Sequence, residues 1–192
     1  MRSLLRILGI VVLAVIVAAA ATSVAARFHD GPIAIFAGGP FSSGEWVDLT
    51  WYDASFLADV EEIEWQLMEP ARSRVTWVLV DDRVAYIPCG MPEFRLWKQW
   101  PHEAVQDGRA VVRVNGQLHR RQLVKVDDPA LEAILRTELG RKYGADYSGE
   151  VWFFRLDPRK EGQAGLSRRR ARSRRGCRGA RRDRRRARSP RA

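Results

Sequence analysis

The feature that most constrains the fold is an Asn-Gly pair, Asn115-Gly116, between two largely apolar segments, residues 110–114 and 118–126. Asn and Gly accept the two positive φ angles of a type I′ turn, which joins neighbouring antiparallel strands. The pair therefore predicts a hairpin in the middle of the chain. A hairpin at this point favours an antiparallel sheet and argues against an all-helical domain.

Other strands are predicted on both sides of this hairpin. In EEIEWQLME, residues 61–69, apolar and polar side chains alternate, which is typical of a half-buried strand. Residues 74–80, RVTWVLV, are apolar on both faces and predict a central strand. Asp81-Asp82 predicts a tight turn, after which residues 83–87 return as the hairpin partner. We expect Pro88 to end that partner strand.

The chain closes with VWFFRL, residues 151–156, which predicts a buried closing strand. Two helices are expected before it. In residues 93–106 the apolar side chains are three to four apart, with a break near Trp100 because Pro101 cannot lie deep in a helix. Residues 129–143 have Asp128 as N-cap and Gly144 as terminator, so they predict a capped amphipathic helix.

The excess of basic over acidic residues is confined to the last part of the chain. The net charge is +10, but residues 160–192 hold 15 of the 33 basic residues and 2 of the 23 acidic ones. Residues 1–159 therefore carry 18 basic and 21 acidic side chains, which is no nucleic-acid signature. The Arg-rich tail, 159–192, lacks the apolar residues of a core and predicts disorder. Only this tail offers nucleic acid a contact, a non-specific one, and we favour a tail without specific function.

Residues 7–26 are an uncharged apolar run that follows Arg2 and Arg6. About 20 apolar residues cross the hydrocarbon core of a bilayer, so residues 1–26 predict a single-pass membrane anchor. The alternative is a cleaved signal peptide, because small residues at 24–26 fit a cleavage site. The leading arginines place the domain outside the cytoplasm at the cell membrane. Residues 27–59, rich in Gly, Pro and aromatic residues, predict a linker draped over the domain.

The order of these elements resembles the FMN-binding split-barrel superfamily. It is nearest the deazaflavin-dependent nitroreductases and more distantly similar to the pyridoxamine-phosphate oxidases. The resemblance covers about residues 60–156. For the domain, residues 60–158, it implies an α+β fold, an antiparallel split β-barrel with two or three flanking helices. It rests on Arg72-Ser73-Arg74, where the family has a phosphate loop, on Trp100 and His102 in its Trp-x-His element, and on the Asn115-Gly116 hairpin. The glycines of the phosphate loop are absent, and Glu103 stands where the family has Asn.

The resemblance implies a site for FMN or a deazaflavin, commonly at the interface of a homodimer. Arg72, Ser73 and Arg74 would bind the phosphate, with Lys98 as a second cation. The alternative for Arg72 and Arg74 is a solvated turn charge or a pair with Glu69 or Asp82. For Lys98 the alternative is a polar helix face.

Near the cofactor ring the resemblance implies Trp97, Trp100 and His102. The alternatives are core packing for the two tryptophans and a local hydrogen bond for the histidine. Cys89 is expected to be a small buried hydrophobe and not a nucleophile. Three scattered histidines and two distant cysteines predict neither a metal site nor a disulfide.

Two functions follow as hypotheses. The first is a membrane-anchored, flavin- or deazaflavin-dependent oxidoreductase that reduces small acceptors such as quinones or nitro compounds. The second is a non-catalytic, membrane-tethered binding or structural module on the same fold. Fold resemblance does not decide between them, because one fold carries many functions.

Overall fold

The computed structural model describes residues 2–47, 52–96, 98–144 and 148–159. The predictions for Trp97 and for the tail from residue 160 lie outside these ranges. The helices are α1 Arg2–Ala26, α2 Trp100–Gln106 and α3 Pro129–Tyr143. The strands are β1 Glu45–Trp46, β2 Glu62–Leu67, β3 Ser73–Trp77, β4 Leu79–Asp81, β5 Val84–Gly90, β6 Arg109–Val114, β7 Gln117–Lys125 and β8 Val151–Pro158.

Within the described residues these strands form one sheet in the order β3-β2-β6-β7-β8-β5-β4. All pairings along that path are antiparallel, and β1 adds a short parallel pairing to the start of β7. The path does not close, because β3 and β4 are its two ends. The prediction of an α+β fold with an antiparallel sheet is therefore confirmed.

The prediction of one central strand over residues 74–80 is wrong. The segment divides at Val78 into β3 and β4, which lie at opposite ends of the sheet. Side chains from the end of α3 replace the missing strand partner at the break. Tyr143 Oη lies 3.1 Å from Val78 N, and Lys142 Nζ donates to Val78 O at 2.9 Å. A residue whose peptide groups are satisfied in this way can leave the ladder without leaving buried groups unpaired.

Three boundaries also differ from those predicted. Residues 93–99, apart from Trp97, form turns, and α2 starts at Trp100 with Pro101 in its first turn. Proline suits that place because the first helical N–H groups have no partner in the helix. The tight turn uses Asp82 and Arg83, with φ +41° and +64°. Strand β5 continues through Pro88, since β4 stops opposite Tyr86 and leaves that side of β5 open.

The local predictions with a specific chemical signal are confirmed. Asn115 and Gly116 have φ +50° and +76° and join β6 to β7. The Asp128 side chain accepts a hydrogen bond from Ala130 N at 2.9 Å, and Gly144 ends α3 in the left-handed conformation. Each of these signals acts over a few residues, so no distant contact can overrule it easily.

Strand β8 lies between β7 and β5 and is buried on both faces. Because side chains alternate along a strand, Phe154 packs on one side with Trp65 and Trp100, while Phe153 packs on the other with Leu139 of α3. Helices α2 and α3 therefore cover opposite faces of the sheet. The core therefore has two parts, one under α2 and one under α3.

Helix α1 is long and apolar enough to cross a membrane by length and composition, with 24 residues from Ser3 and a mean hydropathy of 2.8; a signal sequence passes the same test. The chain that follows packs on the sheet. Gly39 N donates to Ala26 O at 3.0 Å, and Phe41 N donates to Gln66 Oε1 at 2.6 Å. Arg113 of β6 binds Asp30 and Glu64, with Nε 2.6 Å from Glu64 Oε2.

Candidate functional site

A cleft of about 520 Å³ opens where the end of α1, strand β3, strand β5 and the start of α2 meet. Its lining contains four cations and one carboxylate. The cations are Arg27, Arg72, Arg74 and Lys98, and the carboxylate is Glu103. The remaining lining residues are Ser23, Ile35, Phe36, Ala37, Val75, Thr76, Pro88, Cys89, Leu96, Gln99 and Trp100.

Arg74 is the central side chain of this cleft. It lies on β3 opposite Trp65 of β2, and its guanidinium carbon lies 5.1 Å from the centroid of the Trp65 ring. Its Nη1 atom is buried and has no hydrogen-bond partner among the described residues. The face of an indole ring attracts a cation, but the ring does not satisfy the N–H groups of the guanidinium.

Burial, with a smaller contribution from the neighbouring Arg72, lowers the pKa of Arg74 to about 10, while the Glu103 carboxylate acts in the opposite direction. The guanidinium is therefore still charged at neutral pH. Arg74 makes no ion pair with a described carboxylate; Glu69, one of the partners considered for it, lies 3.8 Å from Arg109 instead. A buried charge without a hydrogen-bonded counter-charge is costly, so the cleft is suited to an anion.

Arg72 and Lys98 lie in the same cleft. Arg72 is exposed and precedes Arg74 by two residues, so both point to the same side of the chain. Lys98 Nζ donates to Gly90 O at 2.6 Å, which fixes the ammonium at the end of β5. An ammonium has three N–H donors, so this bond leaves two for a ligand.

Ser73 does not join them. It lies between the two arginines, so it points to the opposite side of β3. Its side chain is fully buried, with Oγ 2.6 Å from Gly39 O, and its own carbonyl accepts from Gly38 N at 2.8 Å. Ser73 therefore fastens the segment after α1 to the sheet.

The aromatic positions are divided between cleft and core. Trp100 lines the cleft but is only 8% exposed, because it packs against Trp65 and Phe154 at centroid distances of 4.9 and 5.1 Å. His102 lies outside the cleft lining. Its Nε2 is 3.0 Å from Pro92 O, and its ring meets Trp152 edge-on.

Cys89 lies at the cleft floor and is buried. Burial raises the pKa of its thiol to about 11, although Lys98 and Arg74 act in the other direction. At neutral pH the group is a thiol, and a thiol is a poor nucleophile. The predicted role as a small buried hydrophobe agrees with this position. No group of three possible metal ligands occurs among the described residues.

Sequence reasoning missed Ser23, Arg27, Ile35 and Leu96 as cleft residues. They come from the end of α1, the following segment and the turn before α2, and no local pattern links these segments. The approach of Ser23, Arg27 and Ile35 to the sheet depends on the docking of residues 38–39 against Ser73. A Cβ at Gly38 would lie 1.9 Å from Gly31 O, so this close approach requires glycine.

Comparison with known proteins adds no assignment to this geometry. No protein-family model matches the chain, and no curated protein matches it significantly.

Proposed function

We propose that the chain is a membrane-tethered binding module whose cleft holds a phosphate-bearing ligand. The single observation that carries the proposal is the Arg74 guanidinium, which is charged and has a buried Nη1 donor without a hydrogen-bond partner among the described residues. Arg72 and Lys98 add charge and donors to the same cleft. The guanidinium of an arginine has paired N–H donors that can bind two phosphate oxygens at once, and the ammonium of a lysine adds a compact positive charge.

The tether is α1. Its length and hydropathy suit a single pass through the bilayer, and Arg2 and Arg6 favour a cytoplasmic N-terminus with the domain on the other side of the cell membrane. The fold we propose for residues 60–158 is the split barrel. The order of strands, the Asn115-Gly116 hairpin and a tryptophan-bearing helix beside the sheet support it, with β3 and β4 as the two edges of the split.

The second candidate is a flavin- or deazaflavin-dependent reductase of small acceptors. A specific observation favours it, because Trp100 lines the same cleft as Arg72 and Arg74. A flavin-type cofactor supplies hydride transfer when bound. The arginines would hold its phosphate, and Trp100 and the cleft wall would orient its ring and exclude water. A homodimer, which the resemblance implies, would cover the open side of the cleft.

The test is a titration of the detergent-solubilised full chain with FMN, a deazaflavin nucleotide and riboflavin, followed by absorption and fluorescence. Riboflavin has the ring of FMN without its phosphate. The binding module requires phosphate-dependent binding, so FMN should bind, glycerol 3-phosphate should displace it, and riboflavin should not bind. The reductase also requires a shifted flavin spectrum and reduction of a quinone or nitro acceptor.

Arg74→Met should weaken phosphate binding by about 1.5–3 kcal/mol, roughly ten- to a hundredfold, because it removes a charged hydrogen-bond donor. Arg141→Gln is the matched control, since Arg141 is exposed on α3 outside the cleft. It should leave binding within about twofold of the unmodified protein. Absence of binding by any phosphate ligand, or equal loss in both variants, would refute the proposed site.

A further inference from the structure

We propose that the ligand of the cleft is the phosphate of an anionic phospholipid in the bilayer that α1 crosses. The inference rests on the proposed function and names the source of the phosphate. Its first support is position. Ser23 and Arg27, at the end of α1, line the cleft, and the chain enters the fold directly after Ala26, whose carbonyl accepts from Gly39 N.

A spanning helix ends in the headgroup layer, about 15 Å from the centre of the bilayer. A cleft built partly from the last turn of that helix therefore opens at headgroup depth. Lipid phosphates lie in this layer at high local concentration. A soluble phosphate compound would have to reach the same cleft through the headgroups.

The second support is the rim of the cleft. Ile35 and Leu96 line it and are 78% and 92% exposed, and Phe28, which follows Arg27, is 88% exposed. Large apolar side chains that protrude beside each other mark contact surfaces. Apolar side chains around a cationic centre suit the membrane interface, because the former enter the acyl boundary while the latter meet lipid phosphates.

The third support is the charge of the cleft. Arg27, Arg72, Arg74 and Lys98 against Glu103 give the lining a net charge of +3. This net positive charge attracts the single negative charge of a phosphodiester at the membrane surface. Phosphatidylglycerol is therefore a suitable probe.

The experiment uses the full chain in nanodiscs and measures the melting temperature of the strands by circular dichroism. One set of discs contains phosphatidylcholine alone, and a second contains phosphatidylcholine with phosphatidylglycerol. A third arm adds glycerol 3-phosphate to the phosphatidylcholine discs. Because a ligand that binds only the folded state stabilises it, phosphatidylglycerol should raise the melting temperature by roughly 5 °C. Glycerol 3-phosphate should raise it by less than half of that.

Each variant is compared with itself in the two kinds of disc, so a change in its own stability cancels. Arg74→Met and Arg72→Gln should both lose most of the phosphatidylglycerol increment. Arg141→Gln, which removes one positive charge elsewhere, should keep it. Ile35→Ser with Leu96→Ser should reduce the increment from phosphatidylglycerol more than the increment from glycerol 3-phosphate, because only the lipid has acyl chains for these side chains to contact.

Three outcomes would overturn the inference. An increment that survives in Arg74→Met and Arg72→Gln would place lipid binding elsewhere. Equal loss in Arg141→Gln would reduce it to general charge attraction. The protein could also respond to glycerol 3-phosphate in a way that depends on Arg74 and not respond to phosphatidylglycerol. That result would refute the lipid as ligand and would still support the proposed phosphate site.

Discussion

Arg74 and Arg113 are both largely buried arginines on neighbouring parts of the sheet, but their surroundings differ. Arg113 contacts two carboxylates, with Nε 2.6 Å from Glu64 Oε2 and Nη1 3.2 Å from Asp30, and it lies over the Phe41 ring. Arg74 has the Trp65 ring but no carboxylate within ion-pair distance among the described residues. The same side chain therefore serves the fold at one position and leaves unused binding capacity at the other.

This contrast predicts opposite effects of one substitution. Burial lowers the pKa of Arg74 in the folded state, so the unfolded chain binds that proton more tightly, and the charge opposes folding at every pH below about 10. Arg74→Met should raise the free energy of unfolding of the ligand-free protein by about 1–2 kcal/mol at pH 7. Arg113→Met should lower it by about 2–4 kcal/mol, because Asp30 and Glu64 lose their cation.

Urea unfolding of the two variants in the same detergent measures both changes. A destabilised Arg74→Met protein would show that the guanidinium is already satisfied without a ligand.

The pKa of Asp30 is held well below its usual range, first by hydrogen bonds from Ser43 and Ser42 and then by Arg113. Its contribution to stability is therefore present above about pH 4 and is lost as the pH falls below it.

At the scale of elements, the sequence predicts whatever a few consecutive residues decide. Asn115-Gly116 requires positive φ at both positions, and Asp128, Pro129 and Gly144 act on their own helix ends. The break at Val78 has no such signal. The pattern of RVTWVLV predicts one strand. The strand is interrupted because Lys142 and Tyr143, more than 60 residues later, supply hydrogen-bond partners for the peptide groups of Val78.

The candidate site follows the same division. Arg72, Arg74, Lys98 and Trp100 line one cleft, whereas Ser73 and His102 do not. The position of Ser73 follows from the alternation of side chains along β3. The position of His102 depends on a hydrogen bond to Pro92 O, which the helical pattern does not encode.

Tyr143→Phe tests the break at Val78. Tyr143 Oη accepts from Val78 N and lies 2.6 Å from Glu61 O and 2.8 Å from Val78 O, so it can donate to one of these carbonyls. Removing the hydroxyl leaves Val78 N–H without this acceptor and should cost about 1–3 kcal/mol of unfolding free energy. Tyr52→Phe, at an exposed position, should cost less than about 0.5 kcal/mol. Urea unfolding of both variants gives the comparison, and equal costs would mean that water replaces the hydroxyl.

At the scale of the whole molecule, the end of α1 is hydrogen-bonded to Gly39, and the neighbouring Gly38 is hydrogen-bonded to Ser73 of β3. Ala26, the last residue of α1, is fully buried, and its carbonyl accepts from both His29 N and Gly39 N at 3.0 Å. Cleavage by a signal peptidase after Ala26 would remove this anchoring carbonyl and the Ser23 wall of the cleft. A retained helix keeps both.

We therefore expect the mature protein to keep α1. Mass spectrometry of the protein from membranes should show an intact N-terminus, and carbonate washing should not release it. Protease added to intact cells stripped of their outer layers should digest the domain, since Arg2 and Arg6 favour a cytoplasmic N-terminus. A mature chain that begins at Arg27 would establish a cleaved signal, and a protected domain would establish the reverse orientation.

The division of one segment between the two ends of the sheet also bears on how fast the chain folds. Strands β2 and β3 form one hairpin, and strands β4 and β5 form a second; each pairs residues close in sequence, and Val78 connects the two hairpins along the chain. In the sheet, the block of β6, β7 and β8 lies between these two hairpins. We expect the slow step of folding to be the pairing of this three-strand block with the two hairpins, because β2–β6 and β5–β8 close long loops. The β4–β5 turn is local and forms before that step, so mutations in this turn should mainly slow refolding, and so should mutations in β8.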